Sequence, residues 1–202
     1  MTRNKIIVAG GTGFLGNILT RHLPQYEWVV LTRKPQRNVK ARQVTWDGTT
    51  PGTWQEELEN SLAVINLCGR SVDCRYNDKN KKEIVNSRVK PTEAIGKAIA
   101  QCKVPPQLWM NAASATIYRH SYEPMDEDTG QAGEGFSVDV CRQWEAAVHR
   151  IDTPSTRKIL MRISMVMGRD GGIVPVVKRL ACFGLGGKMG PGNQYMSWLH
   201  EE

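Results

Sequence analysis

The sequence contains no apolar run that approaches the roughly 20 residues of a membrane-spanning helix. Its first residues carry Arg3 and Lys5 but no apolar core or cleavage site, so no secretory signal is expected. The five cysteines never occur as C-x-x-C, and the four histidines never occur as H-x-x-x-H. These absences argue against a disulfide framework and a metal site. We expect a cytoplasmic protein with reduced thiols and no membrane partner.

Positive charge, by contrast, is in excess. The chain has 202 residues, with 27 Lys and Arg against 20 Asp and Glu, which gives a formal charge of +7. This balance favours anionic partners such as nucleotides or nucleic acid. The basic cluster of Lys79, Lys81 and Lys82 is interrupted by Asp78 and Glu83 and lacks interleaved aromatic residues. A solvated helix face explains it better, so no nucleic-acid partner is expected.

Short β-branched runs alternate with helical patterns over the first two thirds of the chain. When helices cover both faces of a sheet, its strands consist of continuous apolar residues. The pattern therefore predicts an α/β fold with a doubly wound parallel sheet. Pro91 lies inside one predicted helix and predicts a kink or a split there. The predicted strands are residues 5–9, 28–31, 43–45, 62–67, 108–112 and 158–163, and the predicted helices are residues 14–23, 84–99 and 138–148.

The composition changes near residue 168, where the chain becomes rich in glycine. We expect residues 1–167 to form a nucleotide-binding domain. Residues 168–202 then form the start of a C-terminal, substrate-side region. No closing element follows Trp198, so a further C-terminal segment is expected to be missing.

The most informative motif is the G-x-x-G-x-x-G of residues 10–16, placed between the first strand and the first helix. Gly10 allows a tight turn, Gly13 lets the backbone approach a pyrophosphate, and Gly16 allows the helix to pack close to the sheet. The phosphates then lie on the free N–H groups of the helix N-terminus. An ordinary glycine-rich turn is the alternative, but the strand before and the helix after the motif favour a nucleotide site.

The residues after the second strand select the cofactor. NAD sites usually have an Asp or Glu there for the ribose 2′-hydroxyl, whereas this chain has Arg33 and Lys34, which suit a 2′-phosphate. The sequence therefore predicts NADP as the cofactor. Without the glycine motif, a solvated turn would explain both cations equally well. Asp47, after the third strand, is predicted either to meet the adenine or simply to form a turn before Gly48.

The whole chain resembles the extended short-chain dehydrogenase/reductase superfamily, and within it the epimerase-family proteins of the SDR39U type. The resemblance implies a Rossmann-type fold. The segments that carry it are residues 10–16, 32–35, 64–69, 81–84 with 87–88, 114–118, and 162–172 with 183–187, and supporting matches lie at 144–147 and 194–200.

The resemblance implies further cofactor contacts. Residues 67–69 follow the fourth strand beside the expected ribose and nicotinamide, Glu83 and Arg88 lie on the next helix, and Val166 follows the sixth strand. A helix-surface role for Arg88 and a core role for Val166 are the alternatives. The complete predicted cofactor set is Gly10, Thr12, Gly13, Phe14, Leu15, Thr32, Arg33, Lys34, Leu67, Cys68, Gly69, Glu83, Arg88 and Val166.

Related enzymes use a Ser, a Tyr and a Lys, with the last two spaced Y-x-x-x-K. Ser114 matches the serine, although a strand-end turn would also explain it. No Y-x-x-x-K occurs in the chain, and the resemblance places Ser137 and Cys141 at the two positions. We predict Ser114 and Tyr118 as the catalytic residues, because Tyr118 follows the same strand end.

Two functions remain open at this stage. The first is an NADP-dependent epimerase or oxidoreductase acting on a nucleotide-sugar or a related hydroxyl or carbonyl compound. The second is a non-catalytic NADP-binding sensor or partner-binding module. The resemblance also implies pairing of two copies of the chain through two helices, so a homodimer is a further expectation.

Overall fold

The computed structural model describes residues 4–169, 171–188 and 190–202. Six parallel strands form the main sheet in the order β3-β2-β1-β4-β5-β6. This is the strand order of a dinucleotide-binding sheet, so the predicted doubly wound architecture is confirmed. The strands are β1 (Lys5–Ala9), β2 (Glu27–Thr32), β3 (Arg42–Thr45), β4 (Ala63–Asn66), β5 (Leu108–Ser114) and β6 (Arg157–Ile163).

Helices cover both faces of this sheet, which explains the unbroken apolar strands. Along β1, Ile7 faces one apolar cluster and Val8 faces another, and both side chains are fully buried. The helices are α1 (Phe14–His22), α2 (Asp78–Gln101) and α3 (Phe136–His149), and short 3-10 turns occupy Thr53–Leu58 and Ala115–Ile117.

The second helix runs without interruption through Pro91, so of the two predicted outcomes, a kink or a split, the split is wrong. Pro91 removes one backbone donor, but Pro91 and Thr92 are both buried and α2 packs on α3. The Asn77 side chain caps the helix by accepting the Asn80 N–H at 2.9 Å. Tertiary packing and capping therefore offset the missing hydrogen bond.

A smaller three-stranded sheet, ordered β8-β7-β9, follows the main sheet. Helix α4 has no buried residue. The small sheet starts at Met165, three residues before the expected boundary at 168. Its elements are β7 (Met165–Gly168), β8 (Gly171–Gly172), α4 (Val174–Cys182) and β9 (Trp198–His200). Within the described residues, no helix has the length and apolar character that crossing a bilayer requires.

A buried polar network connects the end of β4 to α2, α3 and β5. The amide of Asn66 donates to Thr92 Oγ1 at 3.0 Å and to Asn111 Oδ1 at 2.7 Å. Its own oxygen accepts the N–H of Cys68 at 3.0 Å. Trp144 Nε1 adds a further bond to Thr92 Oγ1 at 3.1 Å. The network therefore holds in place the loop that leaves β4.

Helix α1 approaches the end of β1 so closely that it leaves no room for a side chain. A Cβ at Gly16 would lie 2.3 Å from the carbonyl oxygen of Gly11 and 2.4 Å from its Cα. A Cβ at Gly11 would lie 2.6 Å from a methyl group of Val8. Glycine at these two positions is therefore a packing requirement of the protein itself.

We expect Gly16→Ala to lower the free energy of unfolding by about 1–3 kcal/mol, because the added methyl group pushes α1 away from the sheet. Urea unfolding followed by circular dichroism measures this change. The matched control is Gly187→Ala, since a Cβ at Gly187 meets no atom within 4 Å. Equal stability of the two variants would refute the packing argument.

Replacement of Asn66 by Ala should cost about 1–3 kcal/mol of stability, because it leaves the Cys68 N–H and other buried polar groups without their partner. Thermal and urea unfolding provide the readout. Asn38→Ala, in an exposed turn, serves as the control and is expected to have little effect. A wild-type unfolding midpoint for Asn66→Ala would show that the network does not stabilise the fold.

Candidate functional site

A cleft of about 990 Å³ opens at the carboxyl ends of β1, β2 and β4. The sheet order reverses at β1, which is where ligands bind in open α/β sheets. Twelve of the fourteen predicted cofactor residues line this cleft, and Arg88 and Val166 do not. The twelve are Gly10, Thr12, Gly13, Phe14, Leu15, Thr32, Arg33, Lys34, Leu67, Cys68, Gly69 and Glu83.

The glycine loop forms the floor of the cleft. Gly10 has a φ of +76°, and a Cβ there would lie 3.1 Å from the carbonyl of Leu67. Gly13, which precedes the first residue of α1, has an ordinary φ of −82°. The first turn of α1 has no side-chain cap and no acidic residue. Its free N–H groups therefore create a positive end suited to a phosphate.

The end of β2 presents two exposed cations to the same cleft, Arg33 and Lys34. Thr32 fixes their turn, because its hydroxyl donates to the Lys34 carbonyl at 3.1 Å and accepts the Lys34 N–H at 3.3 Å. The side-chain amide of Gln43 bonds the N–H and the carbonyl of Gln36, both at 2.8 Å. In the described part of the chain, no carboxylate pairs with Arg33 or Lys34, so both charges remain available to an anion.

The end of β3 contributes Asp47 and Trp46. Asp47 accepts the backbone N–H groups of Thr49 and Thr50, both at 2.7 Å, and bonds to both hydroxyls. These hydrogen bonds hold the pKa of the Asp47 carboxyl well below its ordinary value. The carboxylate is thus engaged in its own turn, in agreement with the turn interpretation. Trp46 is buried and packs edge-on against Trp54, with ring centroids 4.9 Å apart.

Helix α2 forms one wall of the cleft, and of its residues there only Glu83 was predicted from the sequence. Asn86, Ser87 and Pro91 line the cleft together with Glu83. Their spacing of three or four residues places all four on one helix face. Counting forward from Glu83 in steps of three or four residues, the helical repeat, would have identified these positions from the sequence. Arg70, which follows Gly69 directly, was also missed, although it lines the cleft.

Two cysteines near the predicted site remain uncharged. Burial raises the pKa of Cys68 to about 12, although the charge of Arg33 acts in the opposite direction. Burial also raises the pKa of Cys141, which occupies the position expected for the catalytic lysine. Neither side chain provides the fixed positive charge of a lysine, and neither thiol adds a negative charge beside an anion site.

Arg88 and Val166 do not line the cleft. Arg88 donates to the carbonyls of Ile84 at 3.0 Å and Arg70 at 3.2 Å, and it stacks 5.3 Å from the ring of Trp144. Burial lowers its pKa. Val166 lies in β7, where it is paired with Leu199 in the small sheet. Arg88 therefore supports the loop after Gly69, and Val166 belongs to the second sheet.

Ser114 ends β5, as predicted, but its hydroxyl has local partners. It donates to Thr116 Oγ1 at 2.9 Å and accepts the Thr116 N–H at 3.2 Å. Ser114 is not among the residues that line the cleft.

Tyr118 belongs to a cluster that the sequence did not reveal. Arg162 binds both carboxylate oxygens of the buried Glu145, at 2.9 and 3.0 Å, and donates to the Tyr118 hydroxyl at 2.8 Å. The tyrosine ring lies against Gly130, where an added Cβ would be 2.4 Å from it. This cluster ties α3, β6 and the loop after β5 together. Tyr118 itself does not line the cleft.

In the described part of the chain, no group of three or more His, Cys, Asp or Glu side chains is arranged to hold a metal ion.

Comparisons with known proteins agree with this geometry. Residues 6–168 match the NAD dependent epimerase/dehydratase family. The bovine (Bos taurus) epimerase family protein SDR39U1 is 34% identical, in an alignment that covers 97% of this chain and 66% of that protein.

Two solved structures show the same fold. A crystal structure of the human epimerase family protein SDR39U1 (isoform 2) with NADPH has a TM-score of 0.81 at 30% identity, and the match covers 98% of this chain and 66% of that one. The nucleoside-diphosphate sugar epimerase from Corynebacterium glutamicum has a TM-score of 0.79 at 26% identity, and it covers 99% of this chain and 41% of that one.

This chain spans just under two thirds of the length of the curated relatives it matches. The family match nevertheless extends over most of this chain, from β1 to the end of β7. The chain belongs to the NAD dependent epimerase/dehydratase family.

Proposed function

We propose that this chain binds NADP in the cleft at the ends of β1, β2 and β4. We further propose that the protein is an epimerase or oxidoreductase whose substrate carries a hydroxyl or carbonyl group, of the nucleotide-sugar class. The observation that carries the proposal is the empty space in front of Gly13. A Cβ at Gly13 would have only the Gly10 carbonyl oxygen nearby, at 3.5 Å.

Gly13 has no steric reason to be glycine within the protein itself. Its φ of −82° suits any residue, and no other protein atom lies within 4 Å of the added Cβ. Gly16, in contrast, is required by contact with Gly11. A ligand whose phosphates approach the backbone at the start of α1 explains the absence of a side chain at position 13.

The choice of NADP rests on Arg33 and Lys34. A guanidinium holds a phosphate through two parallel hydrogen bonds, whereas a ribose 2′-hydroxyl would be met by a carboxylate. The cleft presents two free cations at this position. The crystal structure of the human relative contains NADPH, which supports the same choice.

When bound, NADP supplies the acceptor or donor of a hydride, and the protein supplies binding, orientation and proton transfer. The assignment of Ser114 and Tyr118 as catalytic residues stays a prediction. Tyr118 accepts a hydrogen bond from Arg162, so its own O–H hydrogen remains available to another acceptor. The nucleotide-sugar class is supported by the name of the Corynebacterium glutamicum relative. The homodimer and the cytoplasmic location also stay predictions.

We expect Gly13→Ala to weaken NADPH binding by at least about tenfold, because the methyl group occupies space that the phosphates need. It should lower the free energy of unfolding by less than about 1 kcal/mol, since alanine is only a poorer N-cap than glycine. Titration of NADPH fluorescence measures affinity, and urea unfolding measures stability. Gly16→Ala is the contrasting variant, since it should destabilise the fold. NADPH affinity that survives Gly13→Ala would remove the main support for a phosphate at this loop.

The Arg33→Ala variant tests the cofactor choice. We expect its dissociation constant for NADPH to rise by about 10- to 100-fold, because a charge-assisted bidentate contact to the 2′-phosphate is lost. The NADH dissociation constant should change by less than about twofold, since NADH has no phosphate there. Arg37→Ala removes a neighbouring exposed charge outside the cleft and serves as the control. Equal weakening of both cofactors would contradict the assignment.

A further inference from the structure

A third cation faces the cleft from the opposite side. Arg70 directly follows Gly69 and lines the cleft, and its side chain is about one third exposed, at 33%. Its guanidinium forms an ion pair with Glu83 and lies 3.4 Å from Asn80 Oδ1. Arg70 was not part of the predicted cofactor set, and the proposed function does not use it.

The backbone of Arg70 is held in place from α2. Ser87 Oγ accepts the Arg70 N–H at 3.1 Å, and Arg88 donates to the Arg70 carbonyl at 3.2 Å. Arg88 is itself stacked on Trp144. Because both backbone groups are bonded, the side chain starts from a fixed point on the cleft wall. The position of the Arg70 side chain at the cleft therefore does not depend on the ion pair with Glu83 alone.

The position of this loop relative to the glycine loop indicates which part of a ligand it meets. A Cβ at Gly10 would lie 3.1 Å from the Leu67 carbonyl and 3.2 Å from the Cys68 N–H, so the two loops are in contact. Arg33 and Lys34 lie on the other side of β1, at the end of β2. The start of α1 lies between the two groups of cations, and this is where a pyrophosphate binds.

We propose that Arg70 is an anchor for the cofactor's pyrophosphate. Glu83 pairs with the Arg70 side chain in the free protein, and its negative charge weakens the binding of anions in the cleft. This inference rests on the proposed function. An arginine has five N–H donors, and the contacts to Glu83 and Asn80 both use Nη1. Arg70 can therefore donate to a phosphate oxygen from its remaining N–H groups.

The two sets of cations then have different roles. The 2′-phosphate distinguishes NADP from NAD, whereas the pyrophosphate is common to both. Arg33 therefore decides which dinucleotide binds, and Arg70 strengthens the binding of either one. The ratio of the NADPH and NADH affinities separates the two roles, whatever the substrate of the protein is.

The experiment is equilibrium titration of the full 202-residue chain with NADPH and with NADH, for the wild type and for Arg70→Gln. We expect both dissociation constants to rise by about tenfold and by the same factor, because one charge-assisted contact is lost in each complex. The Arg33→Ala variant should change only the NADPH value. Lys79→Ala removes one exposed charge from α2 outside the cleft, and it is expected to leave both constants unchanged.

Glu83→Gln provides a second test that keeps the size of the side chain. Removal of its negative charge should tighten NADPH and NADH by a common factor of about two to five. Circular dichroism and the unfolding midpoint check that each variant is folded, and if Arg70→Gln is not, Glu83→Gln decides.

Unchanged affinities in a folded Arg70→Gln, or in Glu83→Gln, would overturn the proposal, and so would weakening of NADPH alone. Failure of the wild type to bind either dinucleotide would instead refute the proposed function.

Discussion

The contact between Gly11 and Gly16 is the constraint on which the cleft depends. It brings α1 against the end of β1, so the free N–H groups of the helix open directly onto the crevice beside β4. The fold requires these two glycines whether or not a ligand is present. Gly13 is different, because a Cβ there would meet only the Gly10 carbonyl oxygen, at an ordinary contact distance of 3.5 Å. Within one short motif, Gly11 and Gly16 are thus required for packing, whereas Gly13 is explained by ligand binding.

Charge is distributed around this cleft in a way that suits an anion. Arg33 and Lys34 stand at the end of β2 and Arg70 stands beyond β4. Cys68, between them, is partly buried, and desolvation raises the pKa of its thiol so that it stays neutral. Glu83 is the one acidic side chain among the cleft residues besides Asp47, whose oxygens are already engaged in a turn. Among the cleft residues, three cations thus stand against two carboxylates, one of which is engaged in a turn, so an anion meets an excess of positive charge.

Local sequence patterns were sufficient for the six strands of the main sheet, the glycine loop and the cations Arg33 and Lys34, because each is encoded by neighbouring residues. Contacts between distant segments were not predictable in this way. The continuity of α2 through Pro91 depends on burial against β-strands and α3. Similarly, the bond between Tyr118 and Arg162 joins residues 44 positions apart and also requires Glu145 on α3. Without the fold, the sequence offers no signal that these three side chains meet.

The position of Trp46 in the cleft wall makes its fluorescence sensitive to a bound nicotinamide. Its indole ring is buried, packs on Trp54, and forms part of the cleft wall. Tryptophan emission overlaps the absorption band of a reduced nicotinamide, so excitation energy passes from an indole to a dihydronicotinamide bound nearby. The protein therefore carries its own fluorescent donor in the wall of the cleft, and occupancy can be followed by quenching of its emission without any added label.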